Sequence, residues 1–121
     1  MDSHESSRQL ALKFKQCQNV LTAIGDETRQ SIMIALMNAG CEGMRVNEIT
    51  LQTNLSRPAV SHHLKILKNA QIVSMNRRGT MNFYYLDPAT STIGLLKTLT
   101  EHIEGHMMEY GFLLPDPAEQ D

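Results

Sequence analysis

Residues 55–67 read LSRPAVSHHLKIL, and their polar and apolar side chains repeat with the period of an α-helix. Ser56 has the side chain of an N-cap residue, and Pro58 follows within the first turn, where a missing N–H costs no hydrogen bond. On a helical wheel the residues divide into two faces, with Val60, Leu64 and Leu67 on one and Pro58, Ser61, His62, Lys65 and Asn69 on the other. The segment predicts a helix through about Asn69, with an aliphatic face buried and a polar face exposed.

A shorter helix is predicted just before it, over Val46 to Thr53, where Val46 and Ile49 are three residues apart. The residues between the two helices, 53–55, predict a tight turn because Asn54 tolerates a left-handed backbone better than most residues. Two helices joined in this way are typical of a helix-turn-helix, whose second helix fits the major groove of DNA. The same pattern also fits an ordinary surface helix, so other features have to support the DNA-binding interpretation.

The period changes from helical to alternating over Ile72 to Leu86. Residues that alternate with polar neighbours are Val73, Met75 and Arg77, and then Met81, Phe83 and Tyr85. The turn-forming sequence Arg78-Gly79-Thr80 lies between the two runs. This pattern predicts a two-stranded β-hairpin.

The chain before this region predicts two helices. Residues that recur at steps of three and four are Leu10, Phe14, Cys17, Val20 (or Leu21) and Ile24. They predict an amphipathic helix from about Glu5 to Ala23, which Gly25 ends. Asp26 then has the side chain of an N-cap for a second helix over Glu27 to Asn38.

A long final helix is predicted after the hairpin, with Asp87 as cap, Pro88 in its first position and Gly111 closing it after about Tyr110. Its apolar stripe runs through Ile93, Leu96, Thr100, Ile103, Met107 and Tyr110. An apolar strip on both terminal helices of so small a domain is best buried by self-association. We therefore expect a dimer interface that contains Leu10, Phe14, Ile93, Leu96, Ile103 and Met107.

The composition fits one globular domain: the chain has 121 residues, of which 41% are apolar and 20% charged. We expect this domain to cover residues 1–112 and the acidic residues 113–121 to form a frayed tail. The polar start of the chain lacks the blocks of a secretory signal, and no apolar run approaches the roughly 20 residues that span a bilayer. These features predict a cytoplasmic protein with no membrane partner.

Charge is distributed unevenly along the chain, although its net value is only −2. Between Arg45 and Leu86 there are six basic residues and one acidic residue, so this segment carries +5. Between Asp87 and Asp121 there are seven acidic residues and one basic residue, so this segment carries −6. Since the local field determines where a phosphate backbone can dock, the middle of the chain favours a nucleic-acid partner.

No enzyme and no cofactor is predicted, because the sequence has no Gly-rich phosphate loop, no His-Glu-x-x-His and no Gly-x-Ser-x-Gly motif. Its two cysteines, Cys17 and Cys41, are too few and too far apart for a zinc ribbon or a disulfide framework. We interpret them as reduced thiols, with a thiol switch between them as the alternative.

Three stretches together resemble the ArsR/SmtB family of bacterial winged-helix repressors. They are Ile24-Gly25-Asp26-Glu27-Thr28-Arg29, the Ser-x-x-x-x-Ser-His-His-Leu-Lys-x-Leu pattern of residues 56–67, and the hairpin's Arg77-Arg78-Gly79 with Tyr84-Tyr85-Leu86. The resemblance covers about residues 10–110. It implies a mainly α fold with a β-hairpin wing, a dimer formed through the first and last helices, and two recognition helices that enter successive major grooves of a palindromic operator.

The resemblance also implies roles for individual residues. Ser56 matches a helix cap that contacts phosphate, and positions that face bases or backbone are matched by Arg57, Ser61, His62 and Lys65. Arg77 and Arg78 match the basic tip of the wing, which suits the narrow, more negative minor groove. Lys65 and Lys68 would mainly neutralise phosphate.

The chain departs from the family's metal-sensing patterns, so no standard metal site is predicted. The segment Val46 to Thr53 contains no cysteine, and residues 88–92, which follow Asp87 at the predicted start of the last helix, contain no histidine. His102, His106 and Glu109 retain part of a ligand spacing in the last helix. A sensor with a non-standard metal or thiol site, and a winged-helix module that binds protein, therefore remain alternatives, and the inducer is unknown.

Overall fold

The computed structural model describes residues 1–111 and shows a mainly helical chain with one β-hairpin. The elements are α1 (Ser3–Gln16), α2 (Gln18–Ile24), α3 (Glu27–Ala39), a 3₁₀ turn (Gly40–Glu42), α4 (Val46–Thr53), α5 (Arg57–Asn69), β1 (Ser74–Arg78), β2 (Met81–Tyr85), α6 (Ile93–His106) and a π-helical turn (Met107–Gly111). They form two compact units. Within the described residues, the core unit comprises residues 18–94, and the terminal unit comprises residues 1–17 and 95–111.

Aliphatic side chains from α3, α4 and α5 form the interior of the core unit. The fully buried ones include Ile32, Leu36, Ile49, Val60, Leu64 and Leu67, and Ile72, which follows α5, packs among the buried residues as well. Each such side chain contributes roughly 1.5–3 kcal/mol when it leaves water. The aliphatic face predicted for residues 57–69 is therefore confirmed as the buried face of α5.

The local signals predicted around α3 and α5 are confirmed. The Asp26 side chain caps α3 by accepting a hydrogen bond of 2.9 Å from the Arg29 N–H, and this bond lowers the pKa of Asp26. Ser56 Oγ caps α5 by accepting from the Ala59 N–H at 3.2 Å. Asn54 ends α4 in the left-handed conformation, with φ of 57° and ψ of 22°. The turn between α4 and α5 thus forms as the sequence predicts.

The hairpin is also confirmed, with Arg78 opposite Met81 in an antiparallel register. Gly79 supplies the positive φ of 62° that its tight turn needs. Backbone hydrogen bonds of 2.8 and 2.9 Å pair Tyr84 of β2 with Met44. A Cβ on the preceding Gly43, whose φ is 77°, would lie 2.6 Å from the Tyr84 carbonyl oxygen, so only glycine fits this approach.

The prediction of one continuous helix from about Glu5 to Ala23 is wrong. The structure has two helices there, α1 and α2, which are separated at Cys17. At this residue ψ is 0°, and its N–H is shared between the carbonyl oxygens of Lys13 (3.0 Å) and Phe14 (3.2 Å). The helix also starts earlier than Glu5, because the Asp2 side chain accepts a 2.8 Å hydrogen bond from the Glu5 N–H and caps α1 at Ser3.

The predicted start of the last helix is also wrong, since α6 begins at Ile93 and not at Pro88. Asp87 does act as a cap, accepting from the Ala89 N–H at 2.9 Å, but only for a single turn that ends at Ser91. The Thr92 N–H then bonds to the Gln71 carbonyl at 3.0 Å, which diverts the backbone from the helical path. The acidic residues 113–121 lie outside the described part of the chain, and no helix within residues 1–111 is both long and apolar enough to cross a membrane.

Candidate nucleic-acid interface

The polar face of α5 is directed outward from the core unit. Ser61, His62 and Lys65 are exposed, whereas Val60, Leu64 and Leu67 on the opposite face are at most 1% exposed. Lys68 is exposed near the end of the helix. The hydroxyl, imidazole and ammonium groups of this face are therefore available to a partner along its whole length.

His62 and His63 are consecutive, but the structure gives them different surroundings. His62 is exposed, whereas His63 is half-buried and its Nδ1 accepts a hydrogen bond of 3.3 Å from the Arg29 guanidinium. The same guanidinium donates to the carbonyl oxygens of Ala23 at 2.7 Å and Thr22 at 3.2 Å. Arg29 thus links the end of α2 to α5, and His63 helps to position the helix that carries His62.

Sequence reasoning assigned no role to Arg29, although it closes the Ile24–Arg29 stretch that contributes to the family resemblance. Its hydrogen bonds reach six, seven and thirty-four residues along the chain. A long side chain with such distant partners leaves no periodic pattern in the sequence.

Arginine side chains also surround the start of α5. Arg57 is exposed and donates a hydrogen bond to Asn47 Oδ1 of α4. A cleft of about 250 Å³ lies next to this pair, between the amino-terminal ends of α4 and α5 and the hairpin residues 80–82, and it is also lined by Arg45. In the part of the chain that the structure describes, no carboxylate lines this cleft, so the field of its lining favours an anion.

Arg45 is partly neutralised by the one acidic residue of this region. Glu48 Oε1 accepts hydrogen bonds from the Arg45 N–H at 3.1 Å and from its guanidinium at 3.2 Å, and these bonds lower the pKa of Glu48. Glu48 thus caps the free N–H of Arg45 at the start of α4, which is the half of a capping box that an acidic residue supplies. Arg57 therefore supplies the less compensated charge at the start of the helix-turn-helix.

The two hairpin arginines are both exposed, but they differ in how they are held. Arg77 Nε donates to the Gly79 carbonyl at 3.2 Å, which keeps its guanidinium beside the turn. Arg78 donates to the Glu42 carbonyl at 2.9 Å, and its guanidinium carbon lies 3.5 Å from the centre of the Phe83 ring. A cation fixed over an aromatic ring in this way has a defined position. The charge of Arg78 is therefore placed near the base of the hairpin turn.

The residues predicted for a dimer interface differ in their exposure. In the terminal unit Leu10, Leu96 and Ile103 are half-buried, whereas Phe14 and Met107 are 47% and 58% exposed. Ile93, in the core unit, is 37% exposed. Further exposed apolar side chains of the terminal unit, outside the set predicted for the interface, include Leu12, Leu95 and Met108.

His102 and His106 meet at a buried hydroxyl within the terminal unit. Ser6 Oγ lies 3.0 Å from His102 Nε2 and 2.8 Å from His106 Nδ1, and Lys13 Nζ lies 2.9 Å from His102 Nδ1. An ammonium group only donates, so His102 Nδ1 accepts from Lys13, its Nε2–H donates to Ser6, and the Ser6 hydroxyl donates to His106. Partial burial and the charges of Lys13 and His106 hold the pKa of His102 below its usual range.

This arrangement engages both ring nitrogens of His102. Within residues 1–111, no three side chains of the His, Cys, Asp and Glu types are grouped closely enough to hold a metal ion.

Both cysteines are free thiols, with Cys17 buried and Cys41 exposed.

Comparison with known proteins places this geometry in a family. Residues 26–75, which include α3, α4 and α5, match the bacterial regulatory protein, arsR family. An HTH-type transcriptional regulator of Methanocaldococcus jannaschii is 39% identical over 74 residues, which are 61% of this chain and 81% of that protein. The transcriptional repressor SdpR of Bacillus subtilis is 39% identical over 69 residues, which are 57% of this chain and 73% of that protein.

Solved structures agree with the observed fold. A possible transcriptional regulator for arsenical resistance is 27% identical with a TM-score of 0.56, over 69% of this chain and 81% of that one. An ArsR-like transcriptional regulator from Rhodococcus sp. RHA1 is 22% identical and shares the fold with a TM-score of 0.62, over 81% of this chain and 85% of that one. The chain therefore belongs to the arsR family of bacterial regulatory proteins and is a DNA-binding transcriptional regulator with a winged helix-turn-helix fold.

Proposed function

We propose that this regulator is a repressor that binds a palindromic operator as a homodimer, with one α5 helix in each of two successive major grooves. The observation that carries the proposal is the outward face of α5, on which Ser61, His62 and Lys65 are exposed while the opposite face is buried. The major groove admits a single helix, and short or planar polar side chains on that helix can approach base edges closely.

The side chains of the interface take two kinds of role in this proposal. Arg57, Ser61 and His62 face base edges and provide sequence discrimination, whereas Lys65 and Lys68 neutralise phosphates. Ser56 contacts phosphate through its hydroxyl proton, since its oxygen already accepts from Ala59. Arg77 and Arg78 reach the adjacent minor groove from the wing, where a narrow groove favours arginine.

The terminal unit supports the homodimer. It leaves several large apolar side chains in water, among them Phe14, Leu12 and Met107. Burying such a patch against a second copy removes apolar surface at roughly 25 cal/mol per Å². A two-fold axis would also convert one recognition helix into two half-sites about one helical turn apart.

Two further parts of the proposal follow from the family. We place the repressor in the cytoplasm, where it meets bacterial DNA, and assign it no catalytic activity of its own. Its relatives are named as transcriptional regulators, and none of those compared above is named as an enzyme. The inducer that would release it from the operator is left open.

The proposal is tested by selecting a binding site from random duplexes and then changing the spacing of its half-sites. Fluorescence anisotropy with the selected palindrome should give a far higher affinity than with one half-site. Inserting five base pairs between the half-sites should remove most of this gain, because it turns the second site to the opposite side of the duplex. The same insertion outside the site is the control. Equal affinity for palindrome and half-site would contradict the homodimer.

A further inference from the structure

An apolar cavity of about 620 Å³ opens on the core unit, and none of the described residues that line it is assigned to DNA. Its walls come from the carboxyl-terminal half of α3, the 3₁₀ turn, the segment 86–91 and the first residue of α6. The side chains that matter for its chemistry are Met33, Leu36, Met37, Cys41, Leu86 and Ile93. All of these belong to the core unit, and Ile93 is also one of the residues predicted for the dimer interface.

The shape of the cavity distinguishes it from a flat apolar surface. Met37 is 57% exposed and stands at its mouth, whereas Leu36, on the cavity wall, is only 1% exposed. The cavity therefore reaches from solvent down to the hydrophobic core. Its volume lies within the range of about 300–1,000 Å³ that is typical of small-molecule sites.

Two polar side chains in the lining each accept a backbone hydrogen bond. Asp87 Oδ1 accepts from the Ala89 N–H at 2.9 Å, and Ser91 Oγ accepts from the Ile93 N–H at 3.3 Å. Among residues 1–111, no lysine, arginine or histidine lines the cavity, so an anionic ligand would have no counter-charge from them. Methionine side chains adapt to the outline of an apolar ligand because they are unbranched and polarizable.

We propose that this cavity is a binding site for an uncharged, predominantly apolar small molecule. Such a ligand would replace water along α3 on one side and along the segment 86–91 on the other. This segment directly follows β2 of the hairpin and is tied to the end of α5 by the hydrogen bonds of Thr92 to Gln71 and Ala70. The inference goes beyond the proposed function and does not depend on operator binding.

The test uses N-phenyl-1-naphthylamine, an uncharged apolar dye that becomes fluorescent when it leaves water. Titration of the full chain should show saturable fluorescence. The Met37→Glu variant, which places a carboxylate at the mouth of the cavity, should bind the dye at least tenfold more weakly. Leu51→Glu is the matched control, because Leu51 is an exposed apolar residue of the core unit that does not line the cavity, and its affinity should be unchanged.

A second measurement locates the dye through Cys41. This thiol is exposed on the cavity wall, whereas Cys17 is buried, so iodoacetamide should label Cys41 first. Saturating dye should slow this labelling several-fold, and a Cys41→Ser variant identifies the labelled site.

Three results would overturn the inference: no saturable fluorescence with the wild-type chain, equal loss in the two glutamate variants, or a change of oligomeric state in Met37→Glu by ultracentrifugation. The last result would mean that a second copy of the chain covers this face. Failure of the operator experiment would leave the dye result untouched, so the two proposals fail separately.

Discussion

Replacing His62 or His63 with alanine should have opposite consequences, although the two residues are adjacent. His62 is exposed and has no hydrogen bond that fixes it within the core unit, so its loss should change the free energy of unfolding by less than about 0.5 kcal/mol. If it faces a base edge, its loss should weaken operator binding by about 1–3 kcal/mol, or about 5- to 150-fold. Binding to a scrambled duplex should change little.

His63→Ala should instead destabilise the fold. It removes a part-buried acceptor for the Arg29 guanidinium at 3.3 Å, and a hydrogen bond to a charged group contributes about 1.5–3 kcal/mol at best. The length of this bond and the solvent access of Arg29 reduce its contribution to that of an ordinary hydrogen bond, so we expect a loss of about 1–1.5 kcal/mol.

Urea unfolding gives the stability of both variants, and fluorescence anisotropy at one fixed salt concentration gives their affinity. Arg29→Met should reproduce the stability loss of His63→Ala and exceed it, because it also removes the bonds to Ala23 and Thr22. The reasoning is refuted if His62→Ala unfolds as easily as His63→Ala, or if His63→Ala loses operator specificity at unchanged stability.

Four further predictions concern other parts of the chain. Lys68→Ala should weaken operator and random duplexes alike and reduce the slope of log K against log salt by about 1, measured by anisotropy over a salt series. Phe14→Glu should place a charge in the proposed dimer interface and shift the chain to monomers in sedimentation equilibrium; an unchanged dimer would exclude this residue from the interface. Gly43→Ala should cost about 1–3 kcal/mol of stability because of its positive φ and the contact its Cβ would make, whereas Gly94→Ala, where a Cβ meets nothing within 4 Å, should not destabilise. The pKa of His102 is lower in the folded chain than in the unfolded chain, so below about pH 6.5 the unfolded chain binds more protons than the folded one. The free energy of unfolding should therefore decrease as the pH falls below this value. Urea unfolding at pH 5 to 8 measures this dependence, and His102→Gln should flatten it.

The sequence predicted the helix-turn-helix well because its boundaries depend on local chemistry. The caps of Asp26 and Ser56, the left-handed Asn54 and the turn at Gly79 each involve side chains and backbone groups within a few residues. Such signals act whatever the rest of the chain does. The spacing of the aliphatic residues of α5 also predicts which face of this helix is buried.

The errors lie where distant groups determine the backbone. The Asp87-Pro88 signal did start a turn, but the bond from Thr92 to the Gln71 carbonyl diverted the chain before a helix could continue. The burial of Ser6 likewise depends on histidines about one hundred residues away. No local pattern reports a partner at such a distance, whether for Thr92, Ser6 or Arg29.

Buried and exposed residues alternate along α5, and the two sets have different roles: the buried residues position the helix, and the exposed residues form the proposed DNA-binding face. Val60, Leu64 and Leu67 fix its depth and rotation through the core, and His63 ties it to Arg29. The exposed side chains lie between these positions in the sequence, so replacing them alters no buried contact. Substitutions on the outer face should therefore change which DNA sequence is bound at little cost in stability, whereas substitutions on the inner face should cost stability before they alter recognition.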